Sequence, residues 1–260
     1  MLIDSHCHLD PHYFKEGPDD VMARARAAGV SAFVVVGVGA DLGPARFAVE
    51  LAARRPDVRA TVGMHPHEAA QLTDAMLAEL EQLAARPEVL AVGEIGLDYH
   101  YMRSPRDVQQ GVFRDLIGLA RRLGKPIVVH TREAAEDTLS MLEREGAAEV
   151  GGIIHCFSED RPFAERALAL DFDLSFSGIV TFRTATAIQE VAAWAPGDRI
   201  LVETDSPYLA PNPLRGKRCE PAHVVHTARH IASLRGVRFE DLAAQTAENT
   251  RRRLRWARPA

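Results

Sequence analysis

The chain has 260 residues, of which 47% are hydrophobic, and its formal net charge at pH 7 is -5. This length suits one barrel domain of roughly 250 residues with a large core, so a second domain is not required. The negative charge excludes a protein that attracts nucleic acid through a general basic surface. A phosphate-bearing substrate would need a few local cations instead.

The N-terminal sequence MLIDSHCHLD has no cationic stretch ahead of an apolar one. No apolar run reaches the roughly 18 residues that cross a bilayer, so we expect a cytoplasmic protein without membrane association. Cys7, Cys156 and Cys219 are widely spaced and form no C-x-x-C pair. We therefore expect neither a disulfide framework nor a thiolate zinc site.

Short apolar segments rich in β-branched residues alternate with longer helical patterns along the chain, which is typical of repeated strand-helix units. We predict eight strands, at residues 2–5, 32–38, 58–64, 89–94, 126–130, 151–156, 172–178 and 199–203. Helical spacing of apolar residues is clear at 108–123 and 134–145. Eight such units predict an α/β protein with a TIM (β/α)₈ barrel, in which residues 1–260 form a single domain.

An open, doubly wound sheet is disfavoured because the chain has neither a G-x-G-x-x-G nor a Walker-type loop. After the last predicted strand, the sequence SPYLAPNPLRGKRCEP predicts an ordered, irregular loop. The arginine-rich tail at 251–255 is interpreted as a solvated helix face rather than a nucleic-acid-binding arm.

Several histidine and acidic side chains lie at or just after the ends of predicted strands. They are His6, His8, Glu94, His130, His155 and Asp205. Because the C-terminal ends of barrel strands meet on one face, we expect these residues to lie around one cavity. Alternate residues of an extended segment point the same way, so the two imidazoles of the H-x-H motif can reach one cation.

These residues offer more ligands than one tetrahedral ion can bind, so the sequence predicts two divalent metal ions. We assign His6, His8 and Asp205 to one ion and His130 and His155 to the other, with Glu94 as the bridge. Imidazole-rich ligation suits Zn²⁺ or Mn²⁺, whereas Mg²⁺ prefers oxygen, so the identity of the ions stays open.

Three cations are candidates for binding a substrate phosphate: Arg132, close after His130, and Arg215 and Lys217 on the proline-rich loop. A plain surface role is the alternative for Arg132. Glu203, two residues before Asp205, is expected to orient a metal ligand or a water molecule. His67 could be a substrate-pocket residue or a histidine merely hydrogen-bonded at a strand end.

The motifs as a group resemble those of the TatD family of metal-dependent deoxyribonucleases. They are LIDSHCHLD, GMHPH, GEIGLDYH, VVHTRE, IIHCFSED, FSGIVTF and LVETDSPYLAP, followed by RGK and EP. The resemblance runs from Leu2 to about Asn249 and implies divalent-metal-dependent, typically exonucleolytic DNA hydrolysis. It implies the same six metal ligands and places His65 in the substrate pocket. The family usually has Asn where this chain has Cys219, which affects the positioning of that loop.

We therefore predict a phosphodiester hydrolase, most simply a DNA exonuclease. A hydroxide activated by two metals would attack phosphorus, with Glu94 bridging the ions and Asp205 transferring the proton. DNA or another nucleotide phosphodiester is the expected partner, and no obligate protein partner is expected. One alternative is an ester or amide hydrolase, such as an aminoacyl-tRNA deacylase or a cyclic-amide hydrolase. Another is a metal-binding or partner-binding barrel without catalysis, which the complete ligand set disfavours.

Overall fold

The computed structural model describes residues 1–257 and contains all eight predicted strands. The strands are β1 (Leu2–Cys7), β2 (Val30–Gly37), β3 (Val58–Val62), β4 (Val89–Asp98), β5 (Ile127–Arg132), β6 (Gly152–Ile154), β7 (Phe172–Phe176) and β8 (Ile200–Val202). They form one sheet in the order β1 to β8, and the pairs that have a defined register are parallel. With helices between the strands, this is the TIM (β/α)₈ fold that the sequence predicts.

Nine α-helices follow the strands. They are α1 (Pro18–Ala27), α2 (Gly43–Arg54), α3 (Asp74–Ala84), α4 (Arg106–Leu123), α5 (Ala135–Arg144), α6 (Arg161–Ala169), α7 (Thr186–Trp194), α8 (Val224–Arg235) and α9 (Phe239–Arg253) within residues 1–257. Helix α4 ends at Gly124, whose φ of 63° is the left-handed conformation that glycine adopts easily at helix ends. In the part of the chain that the structure describes, no helix is both long enough and apolar enough to span a bilayer.

The residues group into two compact units. The first unit comprises Met1–Val35, His155–Glu165 and the chain from Asp173 onward, and the second comprises Val36–Ile154 and Arg166–Phe172. The single domain predicted for residues 1–260 stays a prediction. Each unit contains its own set of histidines and carboxylates.

Some predicted strand ends were wrong. Strand β4 continues four residues past the predicted end, so Glu94 lies inside the strand and not at its end. The sequence after Glu94, with its glycine and aspartate, resembles a turn rather than a strand. In the structure Gly96, with φ 147°, pairs with His130, and any side chain on Gly96 would collide with the backbone carbonyl of His130. Glycine thus allows β4 and β5 to stay paired as far as Asp98.

The arginine tail is also more than a solvated face. Asp173 on β7 is fully buried and pairs with Arg199, with Arg252 at 3.0 Å and with Arg253 at 2.8 Å. Arg253 is only 7% exposed, so the prediction was wrong for this residue. The ion pairs attach the end of α9 to the start of β7 within the first unit.

We expect Asp173→Asn to lower the free energy of unfolding by about 3–5 kcal/mol, because it leaves buried guanidinium charge without its partner. Urea unfolding followed by circular dichroism measures this change. Asp115→Asn removes a carboxylate from an exposed pair with Arg114 and should have no measurable effect. If both variants unfolded like the parent, the Asp173 cluster would not stabilise the fold.

Candidate metal centres

The first cluster lies where β1 ends beside the segment that follows β8, within the first unit. The N–H of Asp205 donates to the carbonyl of His6 over 3.0 Å, and the N–H of His8 donates to the carbonyl of Ser206 over 2.9 Å. These backbone bonds fix the two segments side by side. As a result the Nε2 atoms of His6 and His8 lie 3.7 and 3.6 Å from the same oxygen, Oδ1 of Asp205.

A buried carboxylate beneath this cluster holds both segments. Oδ1 of Asp4 accepts the backbone N–H of Thr204 over 2.9 Å and that of His6 over 3.3 Å, and the Thr204 hydroxyl donates to Oδ2. Burial raises the pKa of Asp4 well above its ordinary value, although these hydrogen bonds act in the opposite direction. Asp4 therefore joins the two segments from which the site is built.

The backbone of Asp205 has φ 55°, in the left-handed region, where a residue other than glycine costs about 1–3 kcal/mol. Its side chain is 14% exposed. Burial by itself raises the pKa of Asp205, but the hydrogen bond with His8 and the charges of the nearby imidazoles outweigh this effect and lower it. The carboxyl is therefore ionised at neutral pH, which is the state that can bind a cation.

His155 completes the first cluster. Its ring stacks on that of His6, with centroids 3.9 Å apart and an interplanar angle of 12°. Its Nδ1 lies 3.2 Å from Oε1 of the buried Glu203. The same oxygen accepts the N–H of Cys156 over 2.7 Å, and Oε2 accepts the Ser175 hydroxyl. Glu203 is therefore held rigidly and sets the orientation of the His155 ring.

The second cluster lies in the second unit and centres on Glu94, which is 3% exposed. Its Oε1 lies 2.9 Å from Nδ1 of His130 and 3.4 Å from Nε2 of His65. Strand β3 ends at Val62, two residues before the predicted end, and His65 directly precedes a short 3₁₀ helix at Pro66–Gln71. There, Nδ1 of His65 lies 3.1 Å from the backbone nitrogen of His67 and can accept its N–H only in the neutral ring.

Burial lowers the pKa of His65, but the charges of Glu94 and Glu68 outweigh it and raise the value to about 9. In the doubly protonated ring, both nitrogens carry a proton. In the neutral ring, the bond accepted by Nδ1 leaves the proton on Nε2. The atom that points toward Glu94 is therefore an N–H donor in either state.

Asp98 also belongs to the second cluster, although it is not among the predicted site residues. It is 1% exposed, and its Oδ2 lies 2.9 Å from Nε2 of His67 and 3.3 Å from Nε2 of His130. Burial acts to raise the pKa of Asp98, yet bonds with His130, Tyr101 and His67 lower it overall. The spacing could have indicated it, because residues four apart in a strand face the same side and Glu94 precedes Asp98 by four.

The predicted phosphate-binding cations lie on exposed segments. Arg132 ends β5 and lies over the ring of Tyr101, at 4.7 Å from the centroid. Arg215 lies over the ring of Phe182 at 4.4 Å, and Lys217 is exposed on the same loop. Their contacts with substrate stay predictions.

Cys219, which stands where the family usually has Asn, is buried close behind that loop. Its N–H donates to the carbonyl of Pro207 over 3.0 Å, and its Sγ lies 4.0 Å from the carbonyl of Thr204. A backbone bond therefore holds the loop here without an amide side chain.

Three sets of residues each place one donor atom per residue within 4.8 Å of the others. They are His6, His8 and Asp205; His6, His155 and Glu203; and His65, Glu94 and His130. Imidazole nitrogen with carboxylate oxygen is the donor combination of Zn²⁺ and Mn²⁺ sites, so the residues fit divalent ions. The Glu94 bridge and the sharing of one ion by His130 and His155 stay predictions.

A TIM (β/α)₈ fold that carries clusters of histidines and carboxylates is typical of metal-dependent hydrolases. The family model described as "TatD related DNase" matches residues 3–255, and the chain belongs to this family.

Curated relatives and a solved structure agree with this assignment. The chain is 42% identical to the uncharacterized metal-dependent hydrolase YabD of Bacillus subtilis, over 98% of this chain and 99% of the relative. It is 35% identical to a protein of Erwinia tasmaniensis named 3'-5' ssDNA/RNA exonuclease TatD, over 96% and 98% of the two chains. The crystal structure of the TatD homolog YJJV of Escherichia coli superposes with a TM-score of 0.89 at 28% identity, covering 96% of each chain.

Each cluster should lose metal independently. We expect His8→Ala to lower the metal content of Mn²⁺- or Zn²⁺-loaded protein by about one ion per chain, and His130→Ala to do the same through the second cluster. Elemental analysis after gel filtration measures the content. His12→Ala removes an exposed imidazole outside both clusters and is the control. Parent-like metal content in both cluster variants would contradict this assignment.

Proposed function

We propose that this TatD-family hydrolase cleaves phosphodiester bonds at the ends of DNA strands, with a divalent ion at each cluster. The observation that carries the proposal is the convergence of His6 and His8 on one oxygen of Asp205, next to His155. The second cluster offers a similar mixed set of nitrogen and oxygen donors. The exonuclease named in Erwinia tasmaniensis supports a nucleic-acid substrate, and its similarity covers almost the whole chain.

When bound, divalent ions lower the pKa of water and neutralise charge that develops on a phosphoryl oxygen. The chain itself supplies the proton transfers. Oδ1 of Asp205 faces both imidazoles, so we assign Oδ1 to metal binding and Oδ2 to the proton. Oδ2 takes the proton of the attacking water and returns it to the leaving oxygen. The lowered pKa of Asp205 keeps this carboxylate ionised, so that Oδ2 carries no proton before the reaction.

Two carboxylates orient the imidazole ligands. Glu203 accepts a hydrogen bond from Nδ1 of His155, which leaves Nε2 for a metal. Asp98 lies beside Nε2 of His130, which leaves Nδ1 next to Glu94. We assign positioning roles to Glu203 and Asp98, and metal binding to Glu94.

Substrate phosphate would be held by cations and by an N–H donor. Since the net charge is -5, attraction for a polyanion must come from the ions and from local groups. Arg215 and Lys217 lie on the loop that follows Asp205, and Arg132 lies in the second unit. The Nε2 of His65, which lies 3.4 Å from Oε1 of Glu94, can donate its proton to a phosphoryl oxygen.

Asp205→Asn tests the proton transfer. We expect kcat on single-stranded DNA to fall on the order of 10²-fold or more, with a much smaller change in KM, because the amide cannot accept the proton. Steady-state kinetics with a 3'-labelled oligonucleotide at saturating Mn²⁺ measures both constants, and metal content is recorded in parallel. A kcat within a few-fold of the parent would contradict the assigned role.

Arg215→Ala tests the substrate class. We expect DNA hydrolysis to weaken by roughly 1.5–3 kcal/mol in kcat/KM, the range for a hydrogen bond to a charged group, at unchanged metal content. Arg215→Lys should restore part of the loss, because lysine keeps the positive charge but lacks the planar guanidinium group that can donate two parallel hydrogen bonds. Intact DNA kinetics together with damaged hydrolysis of a neutral ester would favour an ester or amide hydrolase instead.

A further inference from the structure

We propose that Tyr208, supported by Tyr13, stacks on the unpaired nucleobase of the nucleotide that is cleaved from the strand end. The inference rests on the proposed nuclease function and adds a determinant of substrate choice. Tyr208 is 49% exposed, although it is a large and partly apolar side chain. Its ring centroid lies 6.3 Å from that of His8, so an exposed aromatic surface lies directly beside the first cluster.

The backbone ties this ring to the catalytic carboxylate. The N–H of Tyr208 donates to the carbonyl of Asp205 over 2.9 Å, so a single turn carries both the proton acceptor and the aromatic ring. The position of the ring relative to Asp205 is therefore fixed before substrate binds. A preorganised contact costs little ordering entropy when it forms.

Tyr13 supports the ring from the side. The Tyr208 hydroxyl donates to the Tyr13 hydroxyl over 3.1 Å, and the two rings meet at 74° with centroids 5.9 Å apart. Tyr13 is itself fixed, because Arg218 donates to its carbonyl over 3.1 Å and lies over the neighbouring Phe14 ring. Tyr13 also contacts His8, with centroids 6.1 Å apart. The two tyrosines and His8 thus form one aromatic group at the edge of the cluster.

The chemistry of this group selects an unpaired base. Every nucleobase has an aromatic face that can stack on tyrosine, but in a duplex these faces are covered by neighbouring base pairs. The exposed cations Arg215 and Lys217 belong to the same loop and suit the backbone phosphates. The terminal nucleotide would place its phosphate at the first cluster and its base against the ring of Tyr208. Single-stranded ends would therefore be better substrates than blunt duplexes.

The test compares two single-stranded oligonucleotides that differ only at their two terminal nucleotides, so that the comparison holds for digestion from either end. One carries a thymine at each end, and the other a tetrahydrofuran abasic residue at each end. We expect kcat/KM of the parent to be on the order of ten-fold higher for the thymine oligonucleotide, mainly through KM, which is within the range for stacking of one base. Tyr208→Ala should bring the two rates close to equality, and Tyr208→Phe, which keeps the ring, should preserve most of the preference.

Tyr208→Leu provides a second variant without a ring but with similar bulk, in case the alanine variant does not fold. It should behave like Tyr208→Ala, with thermal unfolding and metal content measured for each protein. Equal parent rates on the two oligonucleotides, or a preference that survives Tyr208→Leu, would overturn the stacking role and leave the nuclease function standing. Loss of the preference in Tyr208→Phe would also overturn it. A parent that cleaves neither oligonucleotide would overturn both the stacking role and the proposed function.

Discussion

The position of one carboxylate oxygen, Oδ1 of Asp205, determines the geometry of the first cluster. Two imidazoles from the end of β1 face this oxygen, and they can do so only because backbone hydrogen bonds hold the segment after β8 against β1. Asp4 reinforces the arrangement from below by accepting N–H groups of both segments. The left-handed backbone conformation of Asp205 is strained and raises the free energy of the folded chain locally. Favourable packing of the surrounding residues can offset this strain.

Both clusters follow the same design, in which a buried carboxylate sets the direction of a histidine ring. Glu203 does this for His155, and Asp98 does it for His130. A hydrogen bond to one ring nitrogen fixes which nitrogen remains available to an ion, and carboxylate partners increase the basicity of the ring. In the proposed function, the buried acidic groups that contact the histidines therefore position metal ligands in addition to packing in the core.

The sequence was sufficient for the fold because the alternation of β-branched runs and helical patterns extends over the whole chain, and all eight strands are present. Strand ends were harder to predict. Gly96 permits a close approach of β4 and β5 that no local propensity indicates, and Glu94 consequently lies inside its strand. The burial of Asp173 among arginines and the contact of Tyr208 with Tyr13 join residues far apart in sequence. Such contacts depend on tertiary packing, which neither periodicity nor spacing describes.

We propose that divalent ions at these clusters enable the chain to hydrolyse phosphodiester bonds. The most direct measurement is a titration of metal-stripped full-length protein with Mn²⁺, in which bound metal and cleavage of a single-stranded oligonucleotide are followed together. We expect no cleavage without metal and a rate that rises with occupancy until about two ions are bound per chain. Cleavage at the full rate by protein verified to be free of metal, or no cleavage at full occupancy, would contradict this proposal.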